Sequence, residues 1–288
     1  MNNVFAGQVL TLAQRSVVRT VRQPANIVFP LVFPLLLLAV NAGGLDAATR
    51  LPGFPTNSFV AFALAIPFIQ GALFATMNAG TDLARDIQTG FLNRLALTPM
   101  RGIALLTGQL GGIVTMGVIQ SLVYLSVGLA VGVRLESGAA GAVVLIALAV
   151  LISIGFGALA GVDFKAGLPG IAVLLVLYVL TALAFSSLGA WVGLRTGKAE
   201  AVQGFFPMFF VLLFLSSTSL PRNLIEIDWF RAVATVNPVS YLIEAIRSLI
   251  IVGWDGEALA LGFGFAFAIT VVAVALASMA LRTRLARS

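Results

Sequence analysis

The sequence contains neither cysteine nor histidine, and only 10% of its 288 residues are charged. Without these two residue types the chain can form no disulfide, no thiolate or imidazole metal site, and no Ser-His or Cys-His nucleophile pair. Soluble domains carry roughly a quarter of their residues as charged side chains. The low charged fraction, with 60% apolar residues and a mean hydropathy of +1.06, therefore predicts an integral membrane protein.

The sequence also lacks an energy source of its own. No apolar stretch has a carboxylate near its middle, where a proton-coupled carrier usually keeps an ionisable residue. The one Gly-Lys pair, Gly197-Lys198, is followed by alanine, so it does not form a phosphate-binding loop. The net charge of +6 is dispersed, which suits contact with anionic membrane lipid and does not indicate nucleic-acid binding. If the protein moves a solute across the membrane, the energy must come from another polypeptide.

Seven apolar stretches predict an all-α polytopic fold in a single domain, 1–288. They cover residues 27–45, 59–80, 103–133, 141–162, 171–194, 205–221 and 258–282. All but the first and the sixth comfortably reach the ~20 residues that a span needs. If six stretches cross and both termini are cytoplasmic, 11 basic residues lie inside and the remaining 6 outside, whereas seven crossings give 10 and 7. The positive-inside rule favours six transmembrane helices.

The stretch that does not cross in this scheme is 141–162. Residues 132–159 match residues 161–188 at an offset of 29, with 11 identities in 28 positions. Apolar composition inflates any such match, but the recurring glycine spacing favours a tandem duplication. We expect an extra apolar segment here that is re-entrant or interfacial, and a seventh crossing is the alternative.

Residues 1–24 predict a helix that lies in the membrane interface. Arg15, Arg19 and Arg22 share a polar stripe with Gln8, while apolar residues occupy the opposite side, a pattern typical of interfacial helices. The arginines come late, and no small-residue cleavage site follows a short apolar core. The segment is therefore not predicted to be a signal peptide.

A patterned polar segment, 83–101, separates the second apolar stretch from the third. Four-residue spacing places Asp86 and Arg94 on one side of a predicted helix, next to an apolar pair at the same spacing. Pro99 ends the helix, because proline disfavours helical geometry in the residue before it. Such a helix is a docking element for a soluble partner. Its predicted residues are Asp86, Gly90, Phe91, Arg94, Leu95, Thr98, Pro99 and Arg101.

A second motif begins at Asn237-Pro238 and continues to Glu244 and Arg247. Together with the spacing Asp-x3-Gly-x3-Arg-Leu-x3-Pro-x-Arg in the polar segment, it resembles type-2 ABC transporter permeases, which export drugs, antibiotics, lipids or polysaccharides. The resemblance covers nearly the whole chain apart from the duplicated region. It implies that 83–101 is the coupling helix seated in an ATPase subunit, and that 222–253 forms short helices at the extracellular side, some dipping back into the membrane.

The resemblance also implies the partners and the location. ATP and Mg would be bound by ABC ATPase subunits, with no cofactor in this chain, and a second permease copy or a paralogue would complete a dimer. The location would be the bacterial cell membrane. The implied structural residues are Arg15, Arg19, Asn237, Pro238, Glu244 and Arg247.

In the family that this sequence resembles, the second and fifth spans line the substrate path. By the family's order of spans, these two correspond to the second and sixth apolar stretches of this sequence. We expect Phe210 and Phe214 to seal the outer end, and Glu244 and Arg247 to brace it as an ion pair. The hydroxyl-rich break after the sixth stretch should lie at the outer end of the path or in a protein-lined cavity, because the bilayer core cannot satisfy its backbone. Ordinary helix packing is the alternative for each path residue. The predicted path residues are Gln70, Met77, Asn78, Phe206, Phe210, Phe214 and Pro221.

The resemblance implies that the function is export of an amphipathic or hydrophobic substrate by alternating access, as in multidrug efflux. The alternatives are a lipid or glycan exporter of the same kind, an intramembrane lipid-modifying enzyme, and a receptor or scaffold subunit. The enzyme would need a carboxylate pair, and the close pairs are Asp82/Asp86 and Glu226/Asp228. Neither has a histidine or further acids for a metal, so we predict no catalytic residue and no metal site.

Overall fold

The computed structural model describes residues 2–22, 25–97, 133–135, 162–164 and 166–285. In between it describes the single helical residues Ala104, Gly108, Gly117, Ile119, Gln120, Val123, Tyr124 and Val127. The helices are α1 (Asn2–Val21), α2 (Ala25–Leu45), α3 (Phe59–Ala63), α4 (Ala65–Gln88), α5 (Phe91–Ala96), α6 (Gly167–Thr196), α7 (Ala199–Phe214), α8 (Asp228–Val236), α9 (Pro238–Arg247) and α10 (Gly256–Leu285). Short 3-10 turns occupy Asp46–Arg50 and Arg222–Leu224, and a π turn, Ser248–Val252, follows α9. The all-α membrane fold is confirmed.

Four helical segments of the described chain are long and apolar enough to span a bilayer. They are Ile27–Arg50, Phe59–Gln88, Ala172–Thr196 and Gly256–Arg284, and they match four of the predicted stretches. The sixth stretch forms α7, which has only 16 residues and contains Pro207. Helices α8 and α9, taken with the π turn, pass the same test as one unit but bend by 80°. Because 103–133 and 141–162 lie largely outside the described residues, six crossings stay a prediction.

Helices α4 and α6 form the centre of the bundle, and their backbones touch. A Cβ atom built at Gly189 of α6 would overlap the carbonyl oxygen of Thr76 on α4, and one built at Gly193 would overlap the carbonyl oxygen of Gly80. Small residues allow membrane helices to approach this closely. The span Phe59–Gln88, which consists of α3 and α4, is thereby enclosed: 94% of its most apolar 18 residues are buried.

One end of the bundle, which we call the termini end, gathers α1, α5 and the last turns of α4, α6 and α10. Leu12 of α1 and Leu281 of α10 belong to one buried cluster with Leu83 of α4 and Leu194 of α6. Arg284 also donates a hydrogen bond to the Leu194 carbonyl at 2.9 Å. Helix α1 and the last turn of α10 therefore share one end of the bundle, as an even number of crossings requires.

Two short strands flank the predicted extra segment. Strand β1 (Val133–Leu135) pairs in parallel with β2 (Val162–Phe164), with Val133 opposite Val162. The register equals the offset of 29 in the internal repeat, so the equivalent residues of the two repeats lie side by side within these strands. A single crossing would separate its two ends by ~30 Å. The ladder therefore supports the prediction for 141–162, of which only Val162 lies among the described residues.

Candidate functional site

An ion-pair cluster at the termini end joins α1 to the last turn of α4. Arg15 donates two hydrogen bonds to the Asp86 carboxylate, at 3.2 and 3.0 Å. Arg19 donates to the same carboxylate at 3.0 Å and places its other terminal nitrogen 3.1 Å from Asp82. Asp86 is only 3% exposed, and charge-assisted bonds of this kind are among the strong ones. The arginine stripe of α1 is thus directed at the carboxylates of α4.

The predicted continuous helix through Asp86, Gly90 and Arg94 is wrong. Helix α4 ends at Gln88, Gly90 takes a left-handed φ of +67°, and α5 starts at Phe91. Glycine favours this conformation because it has no Cβ, and it commonly follows a helix end for that reason. Arg94 folds back and donates a hydrogen bond to the Thr89 carbonyl at 3.2 Å. Asp86 therefore belongs to the end of the span, and α5 is a separate short helix.

Helix α5 is anchored to the bundle by two neighbouring residues. The Arg15 guanidinium lies 3.8 Å from the centroid of the Phe91 ring, which is a cation–π contact. Leu92 is 1% exposed and belongs to the buried cluster of the termini end; sequence analysis missed it because it lies outside the four-residue pattern. Arg94 and Leu97 are exposed. The Leu95 side chain and Thr98, Pro99 and Arg101 lie outside the described residues.

The predicted aromatic path residues meet on one face, formed by α2, α4 and α7. Phe74 of α4 lies at its centre, with ring centroids 5.4 Å from Phe29, 5.2 Å from Phe206 and 6.1 Å from Phe210. Phe214 extends the row beyond Phe210, at 6.4 Å. Aromatic pairs of this kind contribute about 0.5–1.5 kcal/mol each beyond their burial. Sequence analysis did not single out Phe74, which is one of many apolar residues in this span.

The predicted polar path residues lie along the same side of α4. Gln70, one turn before Phe74, is 2% exposed, and its Oε1 has no hydrogen-bond partner among the described residues. Met77 and Asn78, about one turn after Phe74, are half-buried. Within one copy this side of α4 is covered by α2 and α7. At the edges of the aromatic row Phe29 and Phe214 are 54% and 64% exposed, whereas Phe206 and Phe210 within it are half-buried.

At the opposite end of the bundle, which we call the cap end, Asn237 clamps the end of α7. Its Nδ2 donates to the carbonyls of Leu212 and Leu215, at 2.6 and 3.0 Å. Its Oδ1 accepts the backbone N–H of Val239 at 3.0 Å. Pro238 takes the first position of α9, where a missing N–H has no consequence. One side chain therefore satisfies carbonyls at the end of α7 and caps α9.

Arg247 supports the break after α7. Its Nε, Nη1 and Nη2 atoms donate to the carbonyls of Phe62, Ser217 and Thr218 respectively, each at 3.1 Å. The guanidinium also lies 3.4 Å from the centroid of the Phe62 ring. Ser217 donates its backbone N–H to the Ser240 hydroxyl. Protein groups therefore bond the backbone of Ser217 and Thr218 in the hydroxyl-rich break, while the buried Ser217 hydroxyl has no partner among the described residues and Ser219 is exposed.

The predicted ion pair between Glu244 and Arg247 is wrong. Glu244 accepts from Arg222, on the 3-10 turn that follows Pro221, while Arg247 is occupied by carbonyls. Partial burial acts to lower the pKa of Arg222, but the adjacent Glu244 carboxylate and its hydrogen bond raise it overall. The Arg222 guanidinium also lies 4.6 Å from the centroid of the Tyr241 ring. Glu244 therefore ties the 3-10 turn to α9.

Comparison with known families gives one match. The model of the ABC-2 type transporter family matches residues 7–162 and 139–251, which together make up well over half of the chain. The two matches overlap at 139–162, the segment that the sequence predicts to be an insertion. A search of curated proteins gave no match.

Proposed function

The chain belongs to the ABC-2 type transporter family, and we propose that it is the permease half of an ATP-driven exporter for amphipathic or hydrophobic substrates. The family makes it a membrane transport component that works with ABC ATPase subunits. We further propose that ATP and Mg are bound by those subunits alone. The location we propose is a bacterial cell membrane, with both termini cytoplasmic.

The observation that carries this proposal is the attachment of α5 to two longer helices at once. Arg15 of α1 touches the Phe91 ring and binds Asp86 of α4. Helix α4 in turn touches α6 through the glycine contact at Gly189. Packed elements of this kind can carry energetic coupling between sites. A displacement of α5 by an ATPase subunit would therefore move α1 and α4 together, and α6 with them.

The path would run between two permease copies whose aromatic faces oppose each other. Within one copy α2 and α7 lie over α4, and the exposed edges at Phe29 and Phe214 would border an apolar route between the copies. Rocking of the two copies would open this route to one side and then to the other. Apolar routes discriminate weakly between substrates, which suits drugs and lipids alike, so a lipid or glycan exporter is the second candidate.

The ion pairs favour transport over an intramembrane enzyme. Asp82 and Asp86 are both held by arginines of α1, so neither is available for acid–base or metal chemistry without loss of the pairing. Asp228 lies 3.8 Å from Arg231, and its side chain is 96% exposed. Asp82 and Asp86 are therefore held in ion pairs, and Asp228 is solvated. Co-purification with an ATPase subunit tests the proposal against an enzyme and against a receptor.

We expect Arg94→Glu to uncouple transport from ATP hydrolysis while the permease stays folded. Arg94 is exposed and makes one backbone hydrogen bond, so its reversal should alter stability by only about 1 kcal/mol. Docking of a charged surface depends on complementarity, so we expect at least a tenfold loss of substrate-stimulated ATPase activity. The measurement is ATP turnover of the co-expressed complex in proteoliposomes. Arg282→Glu, at an exposed position on α10, is the matched control, and wild-type stimulation in Arg94→Glu would contradict the coupling role.

Single cysteines test the topology, because the chain has none of its own. Lys198→Cys lies between α6 and α7 at the termini end, and Glu226→Cys lies at the cap end; both positions are exposed. In intact cells an impermeant maleimide should label Glu226→Cys at once and Lys198→Cys only after permeabilisation. Arg134→Cys and Asp163→Cys, on the paired strands, should be labelled from the same side as each other. Labelling from opposite sides would establish a crossing by 141–162.

A further inference from the structure

A cavity at the cap end has a lining that carries both signs of charge. Its volume is about 370 Å³, within the ~300–1,000 Å³ range of small-molecule sites. It lies between the 3-10 turn before α8, the end of α9 and the start of α10. Its charged lining residues are Arg222, Glu244, Arg247 and Asp255. The transport cycle proposed above uses none of them as substrate contacts.

Arg247 provides this cavity with hydrogen-bond donors. It is only 6% exposed, and Glu244, three residues before it on the same helix, is paired with Arg222 instead. A guanidinium has five N–H groups, and the carbonyls of Phe62, Ser217 and Thr218 account for three. By that count each terminal nitrogen keeps one N–H without a partner among the described residues. A buried guanidinium that lines a cavity and has donors to spare is suited to an anionic oxygen, above all a phosphate.

The opposite charge is provided by Asp255. Its Oδ1 accepts the backbone N–H groups of Glu257 and Ala258, both at 3.1 Å, and so caps α10. Its Oδ2 takes part in neither of these bonds. Glu244 adds a second carboxylate to the lining. These carboxylates would repel a purely anionic ligand. A ligand with a phosphate and an ammonium group can pair its phosphate with the arginines and its ammonium with the carboxylates.

The apolar part of the lining indicates that such a ligand carries hydrocarbon. Ile251 and Val252 of the π turn line the cavity, and Val252 is 64% exposed. Trp254, next along the chain, is 58% exposed, and tryptophan is enriched at the level of lipid headgroups. An acyl chain can leave the cavity along these residues.

From this combination we propose that the cavity binds the phosphoethanolamine headgroup of a membrane phospholipid. The phosphate lies against Arg247 and Arg222, and the ammonium lies against Asp255 and Glu244. The bound lipid connects α9 to the start of α10 and so steadies the cap end. This assignment is independent of the transported substrate and of the direction of transport.

The test uses the purified full chain in an uncharged maltoside detergent and measures its unfolding temperature. Dihexanoyl phosphatidylethanolamine should raise that temperature saturably, by about 3 °C or more. Dihexanoyl phosphatidylcholine, whose ammonium has no N–H, and the phosphatidylglycerol analogue, which has no ammonium, should give less than half of that shift. Free phosphoethanolamine distinguishes a membrane lipid from a soluble ligand. If only the lipid stabilises the protein, the site binds phospholipid from the bilayer. If free phosphoethanolamine stabilises it as well, the headgroup alone is recognised. Equal shifts with all three lipids, or no shift, would overturn the proposal.

Two matched variants locate the effect. Arg247→Gln removes charge from the cavity, but it also leaves backbone carbonyls unpaired. Asp255→Asn is the decisive variant, because asparagine still caps a helix. Asp255→Asn should abolish the difference between the ethanolamine and choline lipids. Asp228→Asn removes the same charge at the start of α8, outside the cavity lining, and should keep the difference. If Asp255→Asn keeps it as well, the ammonium does not bind here and the proposal is wrong.

Discussion

Gly189→Val should prevent the permease from folding stably. At this position the backbones of α6 and α4 are in contact, and an added Cβ would overlap the carbonyl oxygen of Thr76. The collision is with backbone, so no side-chain rotation relieves it. The helices must separate, which also breaks the neighbouring contact between Gly193 and Gly80. We expect a loss of about 4 kcal/mol or more in the free energy of unfolding.

The measurement is the unfolding temperature in detergent, which should fall by about 10 °C if folded protein is recovered at all. Gly264→Val is the matched control. Gly264 also lies within a long apolar helix, α10, but a Cβ atom there would meet nothing within 4 Å. Removing a helical glycine at such a site should leave stability unchanged or raise it slightly. A Gly189→Val protein as stable as Gly264→Val would contradict the close packing of α4 and α6.

Arg247→Met should destabilise the cap end by a similar amount. Methionine preserves much of the side-chain length but has no donor, so the carbonyls of Phe62, Ser217 and Thr218 lose their partner. A buried polar group without a partner costs about 1–3 kcal/mol, which for three groups comes to roughly 3–9 kcal/mol. The lower end of this range applies if water enters from the adjacent cavity.

The effect should be measured as the free energy of unfolding, with Arg231→Met as the comparison. Arg231 lies on α8 at the same end of the bundle. It bonds a single carbonyl, that of Ile225, and lies 3.8 Å from the exposed Asp228. Its loss should cost about 1 kcal/mol. If the two variants were equally stable, Arg247 would have no special role in supporting the break after α7.

The coupling segment shows where a local pattern was sufficient and where it was misleading. The polarity of 83–101 predicted a non-spanning segment after the second span, whereas in the structure the span continues to Gln88 and the separate helix α5 follows it. The four-residue spacing predicted one helix through Gly90, whereas the chain turns there with a left-handed φ of +67°. Spacing gives the face of a residue only while the helix continues. A glycine after a helical run is itself a stop signal, and that signal could have predicted the break.

The arginines also show that local spacing does not predict contacts between residues far apart in the chain. Asp86 is paired with Arg15 and Arg19, 71 and 67 residues earlier in the chain. Arg247 bonds the carbonyl of Phe62, 185 residues away. The sequence analysis gave Arg15, Arg19 and Arg247 structural roles and assigned Asp86 to ATPase coupling, but it placed the arginines of α1 on an interfacial helix and paired Arg247 with Glu244. Proximity along a helix was the only available guide to a partner, and in both cases the true partner comes from another element.

The sequence by itself determined that this is a membrane protein, where four of its spans lie, and which two motifs mark its family. These properties are local: each spanning helix must satisfy its own backbone and be apolar over ~20 residues, so composition and length reveal it. Only the tertiary structure decided that α4 is enclosed by its neighbours, that α1 binds the end of α4, and that Arg247 supports the cap end. A span that is apolar on every face has no periodicity to show which side meets another helix. Its partners are selected by close packing and by hydrogen bonds between residues far apart in the chain.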